Sequence, residues 1–267
     1  MRIRSGTASL CVDVLGTDRT PVLLLHGLGG TRLSWLELPR TLAQSRRVIV
    51  PDLRGCGDSE RGTEPYTFAV LASDAVAVLD ALKIERCHLA GHSLGGVVAQ
   101  ELLTAHNARC ASAVLISTSS RVGEAATAGW LRLADSVERR GFGSAESAAA
   151  RGFSVDFARE HPDLVEKVGA LALASNRSVY AEQARAAARY DYTEALRAVA
   201  QPVLVVQGLA DRLTSAGGSV ILSRALRAAR LEMVENVGHN VHIELGDRFA
   251  ALLEGFFREV DATVGAT

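Results

Sequence analysis

Gly91-His92-Ser93-Leu94-Gly95 sits between the apolar run Cys87-His88-Leu89-Ala90 and a helix-compatible run from Val97 to about Ala105, and few backbones accommodate it there. Taken alone, Gly-x-Ser-x-Gly is a weak pattern that a chance turn serine also satisfies. Between a strand and a helix it has a specific consequence. The serine is forced onto a sharp, strained turn, and the flanking glycines let strand and helix approach closely. The helix then points its partially positive N-terminus at the hydroxyl, where it favours a developing oxyanion. Ser93 is therefore the candidate nucleophile.

The flanking sequence has the rhythm such a sheet needs. Ala8–Leu15 and Pro21–His26 read as strands, and Val22-Leu23-Leu24-Leu25 is a continuous apolar run of the kind covered on both faces. Leu33–Gln44 reads as a helix and Arg46–Val50 as a strand. Phe68, Leu71, Ala75, Val76, Leu79 and Leu82 recur at three- and four-residue spacing, which predicts a helix with one apolar stripe. Arg86–Ala90 and Ala111–Ser117 complete this half. Strands separated by helix-length connections predict a mostly parallel sheet flanked by helices.

At about Ser120 the rhythm stops. From Arg121 to Val199 the chain is rich in Ala and Arg, helical in pattern and broken at Gly141, Gly143, Gly152 and Pro162. Strand character returns at Pro202–Val206, followed by a helix near Ser219–Arg227, a strand near Leu231–Val234 and a last helix over about Gly246–Val260. Residues 1–120 and 200–267 are thus expected to form one core domain, interrupted by a helical cap insertion over 121–199. Two independent domains are a poorer alternative, because the returning strands need the earlier sheet to pair with.

Composition excludes several classes. The chain has 267 residues, 48% hydrophobic and 22% charged, with a formal net charge of −1. That describes an ordinary globular protein with no field for gathering polyanions, so no nucleic acid partner is expected. Cys11, Cys56, Cys87 and Cys110 are scattered without a CxxC pair, which fits neither a disulfide framework nor a zinc site. They read as reduced thiols. The stretch Ala69–Leu82 is interrupted by Ser73, Asp74 and Asp80, well short of the roughly 20 apolar residues of a membrane span. With no secretory-type apolar leader, the expectation is a cytoplasmic protein with no membrane partner.

The chain resembles the α/β-hydrolase family over nearly its whole length. Besides Gly91–Gly95, the landmarks are His26-Gly27-Leu28-Gly29-Gly30 after an early strand and Asp52-Leu53-Arg54-Gly55-Cys56-Gly57-Asp58-Ser59 after the next. Gly208-Leu209-Ala210-Asp211 follows a late strand, and Gly238-His239 with Glu244 lies near the end. The resemblance implies the order Ser, then acid, then His. Of the seven histidines, only His239 and His242 follow a late acidic candidate. His239 stands where the family places its base, and packing or surface exposure is the plainer role for His242. Asp211 is the implied acid, with helix capping as its alternative. The oxyanion donors implied are the backbone N–H groups of Leu28 and Leu94. His26 is read as bracing its loop, His92 as a wall of the elbow and Glu244 as support for the loop of His239. Arg54 and Asp58 are expected in local hydrogen bonds. Trp35, Trp130, Phe153 and Tyr190 are candidate substrate-lining residues, as are Tyr180 and Tyr192, although packing explains such aromatics equally well.

Several chemistries are disfavoured. Relatives acting on epoxides or carbon–halogen bonds carry an aspartate nucleophile. Those cleaving carbon–carbon bonds often carry Asn before the serine and Trp after the base, where this chain has His92 and Asn240. No motif points to a cofactor, nucleotide or metal. The expected activity is hydrolysis of a small carboxylic ester, lactone or thioester through an acyl-enzyme. The segment 153–202 loosely resembles the caps of enol-lactone hydrolases. Alternatives are a cofactor-free perhydrolase or haloperoxidase-like enzyme, and a small-molecule receptor without turnover. Acyl group, leaving group and oligomeric state are left open.

Overall fold

Runs with no polar member, such as Val22-Leu23-Leu24-Leu25 and Val48-Ile49-Val50-Pro51, avoid contact with water only when both faces are covered, and every residue of both is buried. A computed structural model describes residues 1–17, 19–143 and 151–264, so positions 144–150 of the expected insertion lie outside the described residues. Strands β1 (Arg2–Ser5), β2 (Ala8–Leu15) and β3 (Val22–Leu25) come first, then helix α1 (Leu38–Leu42) and β4 (Val48–Pro51). Next are α2 (Phe68–Ala81), β5 (Cys87–His92), α3 (Leu94–Ala105) and β6 (Cys110–Ile116). Helices α4 (Glu124–Arg140), α5 (Val155–Glu160), α6 (Pro162–Leu173) and α7 (Arg177–Ala187) follow. The chain then forms β7 (Val203–Gly208), α8 (Ala216–Ala225), β8 (Ala229–Val234), α9 (Val241–Glu244) and α10 (Asp247–Val264).

The strands make one 8-stranded sheet in the order β1-β2-β4-β3-β5-β6-β7-β8. β1 pairs antiparallel with β2, and β2 antiparallel with β4. From β4 to β8 every neighbour is parallel. Alternation along each strand divides the core in two. Leu23, Leu25, Leu89 and Leu115 face α2 and α3, whereas Val22, Leu24, Val114 and Ile116 face α1 and α10. Both layers are necessary, because a parallel sheet this apolar has no face that water can cover.

Three segments differ from the pattern-based expectation. The expected helix Leu33–Gln44 is split into a 3-10 turn, Arg32–Trp35, and α1. Leu36 takes φ +50° at the break, and Pro39 sits in the first turn of α1, where its missing N–H costs nothing. β1 escaped notice because its alternation lasts only four residues. β4 begins at Val48, since Arg46 leaves the strand path and is fully enclosed. Its guanidinium donates to Glu254 at 2.7 and 3.1 Å and to the Thr20 carbonyl at 2.9 Å, above the ring of Phe257. On the same ring stacks His88, whose Nε2 meets Asp261 at 3.0 Å. The last helix is therefore tied to the segment before β4 by charge and to β5 by a hydrogen bond, as well as by its apolar stripe.

Between β6 and β7 the described residues form helices, with one isolated bridge between Arg121 and Asp191. The pair α4 and α7 pack on each other, joined by Arg185 to Glu138 at 2.6 Å. Among the described residues no helix is long and apolar enough to cross a membrane.

Candidate active site

Ser93 follows β5 with φ +52° and ψ −114°, a conformation that a residue with a Cβ adopts only when its surroundings enforce it. The enforcement is visible. Ser93 N–H donates to Ile116 O at 2.8 Å, pulling the turn onto the end of β6. A Cβ at Gly91 would run into the Gly95 carbonyl, and one at Gly95 into the Leu25 carbonyl, so only glycine lets strand and helix come this close. The hydroxyl makes no hydrogen bond to any described residue. It opens into a cavity of about 400 Å³.

His239 lies on the loop after β8, next to this turn. Its carbonyl accepts from Ser117 Oγ at 2.7 Å and from His92 Nε2 at 3.1 Å, which fixes the loop from below. Its Nδ1 stands 2.8 Å from Asp211 Oδ2. Asp211 sits on the turn after β7 with its side chain enclosed. Its Oδ1 accepts from Leu213 N and Thr214 N at 2.7 and 3.0 Å, and its Oδ2 accepts from Gln207 Nε2 at 3.0 Å and from Thr214 Oγ1. Burial opposes ionisation, but the His239 and Thr214 donors outweigh it and push the carboxyl down to about 2. An ionised acceptor at this point holds the His239 proton on Nδ1 and leaves Nε2 bare. The helix-capping alternative for Asp211 fails, because Ser215 caps α8, its side chain accepting from Gly218 N.

Three further histidines are packed into the surrounding structure. Burial, with His242 and His239 close by, holds His92 well below the ordinary histidine value, so it remains neutral while donating. His242 is wedged between the rings of Trp35 and His92, and burial pushes it down to about 3. His26 accepts from Leu53 N–H on Nε2 at 3.0 Å and turns Nδ1 towards the Gly27 carbonyl at 2.9 Å, bracing its loop as expected. Glu244 does the same for the base loop, accepting from Gly238 N at 2.9 Å and from Ser154 N and Oγ at 3.1 and 2.6 Å.

Leu28 and Leu94 both line the cavity beside Ser93, and neither backbone N–H has an acceptor among the described residues. Gly30 N–H closes a turn on Gly27 O, and Gly29 N–H is taken by Gln183 Oε1 at 2.8 Å, which ties the Leu28 loop to α7. Of the candidate aromatics, Trp130 and Tyr190 line the cavity. Trp35 and Phe153 do not. Trp35 is 2% exposed beneath His242, and Phe153 is fully buried against Phe157, because each fills a gap between helices and loops away from the opening. Tyr180 packs on Phe142 and Tyr192 hydrogen-bonds Glu101.

Ser117, Gln207 and Thr214, which hold His239 and Asp211 in place, belong to no motif in the sequence. A polar residue ending an otherwise apolar strand, as Gln207 does, was the available signal. Arg54 and Asp58 both reach beyond the local bonds expected of them, Asp58 through its carboxylate to Arg32 at 2.9 Å. Asp58 N–H does bond locally to Asp52 at 2.9 Å, but Arg54 reaches Asp74 in α2 with two bonds of 2.7 Å.

A family model described as "alpha/beta hydrolase fold" matches residues 20–244. The chain belongs to this family. The hydrolase is 32% identical over 268 aligned residues, 91% of this chain and 88% of the other, to 2-hydroxymuconate semialdehyde hydrolase from Pseudomonas sp. strain CF600. It is 27% identical to 3-oxoadipate enol-lactonase 1 of Acinetobacter baylyi, with 94% of each chain covered. Among solved structures, a thermophilic esterase from Thermogutta terrifontis superposes with a TM-score of 0.90 at 29% identity, covering 98% of both chains. The protein is accordingly an enzyme of the hydrolase class.

Proposed function

We propose that this hydrolase cleaves a small carboxylic ester, lactone or thioester through an acyl-enzyme on Ser93. The observation that carries the reading is the His239–Asp211 pair, 2.8 Å apart beside the strained turn whose Ser93 lines the cavity. His239 Nε2 takes the Ser93 Oγ proton as Oγ bonds to the acyl carbon, and Asp211 stabilises the imidazolium that forms. The N–H groups of Leu28 and Leu94 receive the negative oxygen of the tetrahedral intermediate. As that intermediate collapses, the imidazolium returns the proton to the leaving oxygen or sulfur. Water, deprotonated by the same nitrogen, then attacks the acyl-enzyme and releases the acid. The open Ser93–His239 contact is compatible with this sequence, because catalytic hydrogen bonds often close only around substrate.

Residues 121–199 serve in this reading as the cap over residues 1–120 and 200–267, supplying Trp130 and Tyr190 to the cavity. The relatives named as an enol-lactonase and an esterase support the same bond class. The four cysteines are free, which fits a cytoplasmic enzyme.

Ser93→Ala tests the mechanism. Turnover of p-nitrophenyl acetate is expected to fall by at least about 10³-fold with the fold intact by circular dichroism, and labelling by a fluorophosphonate probe to vanish. A variant that kept full activity would sink the proposal.

A further inference from the structure

We infer that the substrate carries a carboxylate away from its scissile carbonyl, and that Arg121 is the residue that reads it. The inference rests on the proposed role of Ser93 and adds to it a substrate class. Arg121 lines the same cavity as Ser93 and is its one Lys or Arg, and among the described residues no Asp or Glu shares that lining. Its guanidinium makes no ion pair or hydrogen bond with any described residue, whereas Arg32 pairs with Asp13, Asp52 and Asp58, Arg54 with Asp74 and Glu64, and Arg61 with Glu182.

The unpaired charge is held on a fixed backbone. Arg121 O accepts from Ser119 Oγ at 3.0 Å, and Ser119 Oγ also meets Tyr190 OH at 3.0 Å. Tyr192 N–H bonds to Ser120 O at 2.8 Å and Val122 N–H to Tyr190 O at 3.3 Å, so the residues on both sides of Arg121 are stitched to the chain returning from α7. Asp191, the partner of Arg121 across that bridge, accepts from Thr193 N at 2.9 Å through Oδ1 and forms no ion pair with the guanidinium. What remains is a cation without a partner among the described residues, on a held backbone, lining a chamber whose walls also carry Val97, Val122 and Trp130.

The spacing limits the ligand. Ser117, which braces the His239 loop, is four residues from Arg121, and four extended residues span at most about 14 Å. A guanidinium on such a tether meets the far end of a short half-ester or of a lactone bearing a short acid arm. Guanidinium and carboxylate are geometrically matched, donating and accepting through two parallel bonds. Because Arg121 stays exposed to solvent, the gain is modest and sensitive to salt.

The test compares mono-p-nitrophenyl glutarate, which carries a free carboxylate, with methyl p-nitrophenyl glutarate, in which it is masked. The wild type is expected to favour the free acid in kcat/KM by at least about fivefold, mainly through KM, and to lose that preference as salt rises. Arg121→Met should bring the ratio of the two esters to about one, and Arg121→Lys should restore part of it. Glutarate binding to Ser93→Ala, followed through Trp130 fluorescence, supplies a readout independent of turnover and should weaken in Ser93→Ala/Arg121→Met. Equal use of both esters by the wild type, or an unchanged ratio in Arg121→Met, would overturn the inference while leaving the Ser93 mechanism standing. Ser93-independent turnover would instead remove the reading on which it is built.

Discussion

Ser93 and Ser117 hold φ of +52° and +49° at the ends of adjacent strands, a conformation costing on the order of 1–3 kcal/mol each unless it is enforced. Ser117 Oγ holds the His239 carbonyl, and its own carbonyl takes Thr214 Oγ1 at 3.2 Å, so one strained residue joins the loops of His239 and Asp211. The strain sits where positional accuracy counts. Asp211→Asn keeps this scaffold but offers an amide, which favours the His239 tautomer with its proton on Nε2, facing the serine. A fall in kcat of about 10³–10⁴ with little change in KM is expected, measurable by steady-state kinetics. The same substitution has a pH signature. A carboxyl whose native value, about 2, lies below its unfolded value adds stability that is complete above about pH 4 and lost as pH falls towards 2. In that window urea unfolding should show a steeper loss for wild type than for Asp211→Asn. The meeting of Asp211 with His239 was legible in the sequence through the family resemblance, which implies the order serine, acid, histidine. The roles of Ser117 and Thr214 were not, since a hydroxyl carries no pattern until its partner's loop is placed.

The loop after β4 and helix α2 form one unit through Arg54 and Asp74, whose side chains are 2% and 4% exposed. In the sequence Asp74 looks like an interruption of an apolar stripe, and in the fold it is the acceptor for a buried guanidinium. Periodicity reports which face is covered and is silent about a charge whose counter-charge lies twenty residues away. Removing one partner leaves the other charged and dry. Asp74→Ala is therefore expected to cost about 3–5 kcal/mol in urea unfolding, and Arg54→Met/Asp74→Leu considerably less. The strands were easier to read than the helices for a related reason. Apolar runs such as Val203–Val206 admit few placements, whereas Leu33–Gln44 has a helical spacing that Pro39 cuts in two. The six candidate aromatics divide on the same ground: Trp130 and Tyr190 reach the cavity, while Trp35, Phe153, Tyr180 and Tyr192 pack elsewhere, and residue type alone does not separate the two uses.

At the scale of the whole molecule, residues 152–154 are sewn to the base loop. Asn240 N–H bonds to Gly152 O at 2.8 Å, Arg212 donates to Phe153 O at 3.3 Å, and Glu244 joins Ser154 to Gly238. The helical segment thus touches the loop of His239 as well as the cavity wall. Glu244→Ala strands those donors and should cost about 1–3 kcal/mol in thermal or urea unfolding. It should also lower kcat more than it raises KM, because the base loop loosens while the pocket walls stay. A different long-range tie governs how the chain comes into being. Arg46 is enclosed only once Glu254, 208 residues later, has arrived to neutralise it. At about 5–20 residues per second, a nascent chain waits roughly 10–40 s between making that arginine and making its partner. Throughout that interval the base of β4 must stay wet, so the sheet can begin to form during synthesis, but its seal closes only as the final helix emerges.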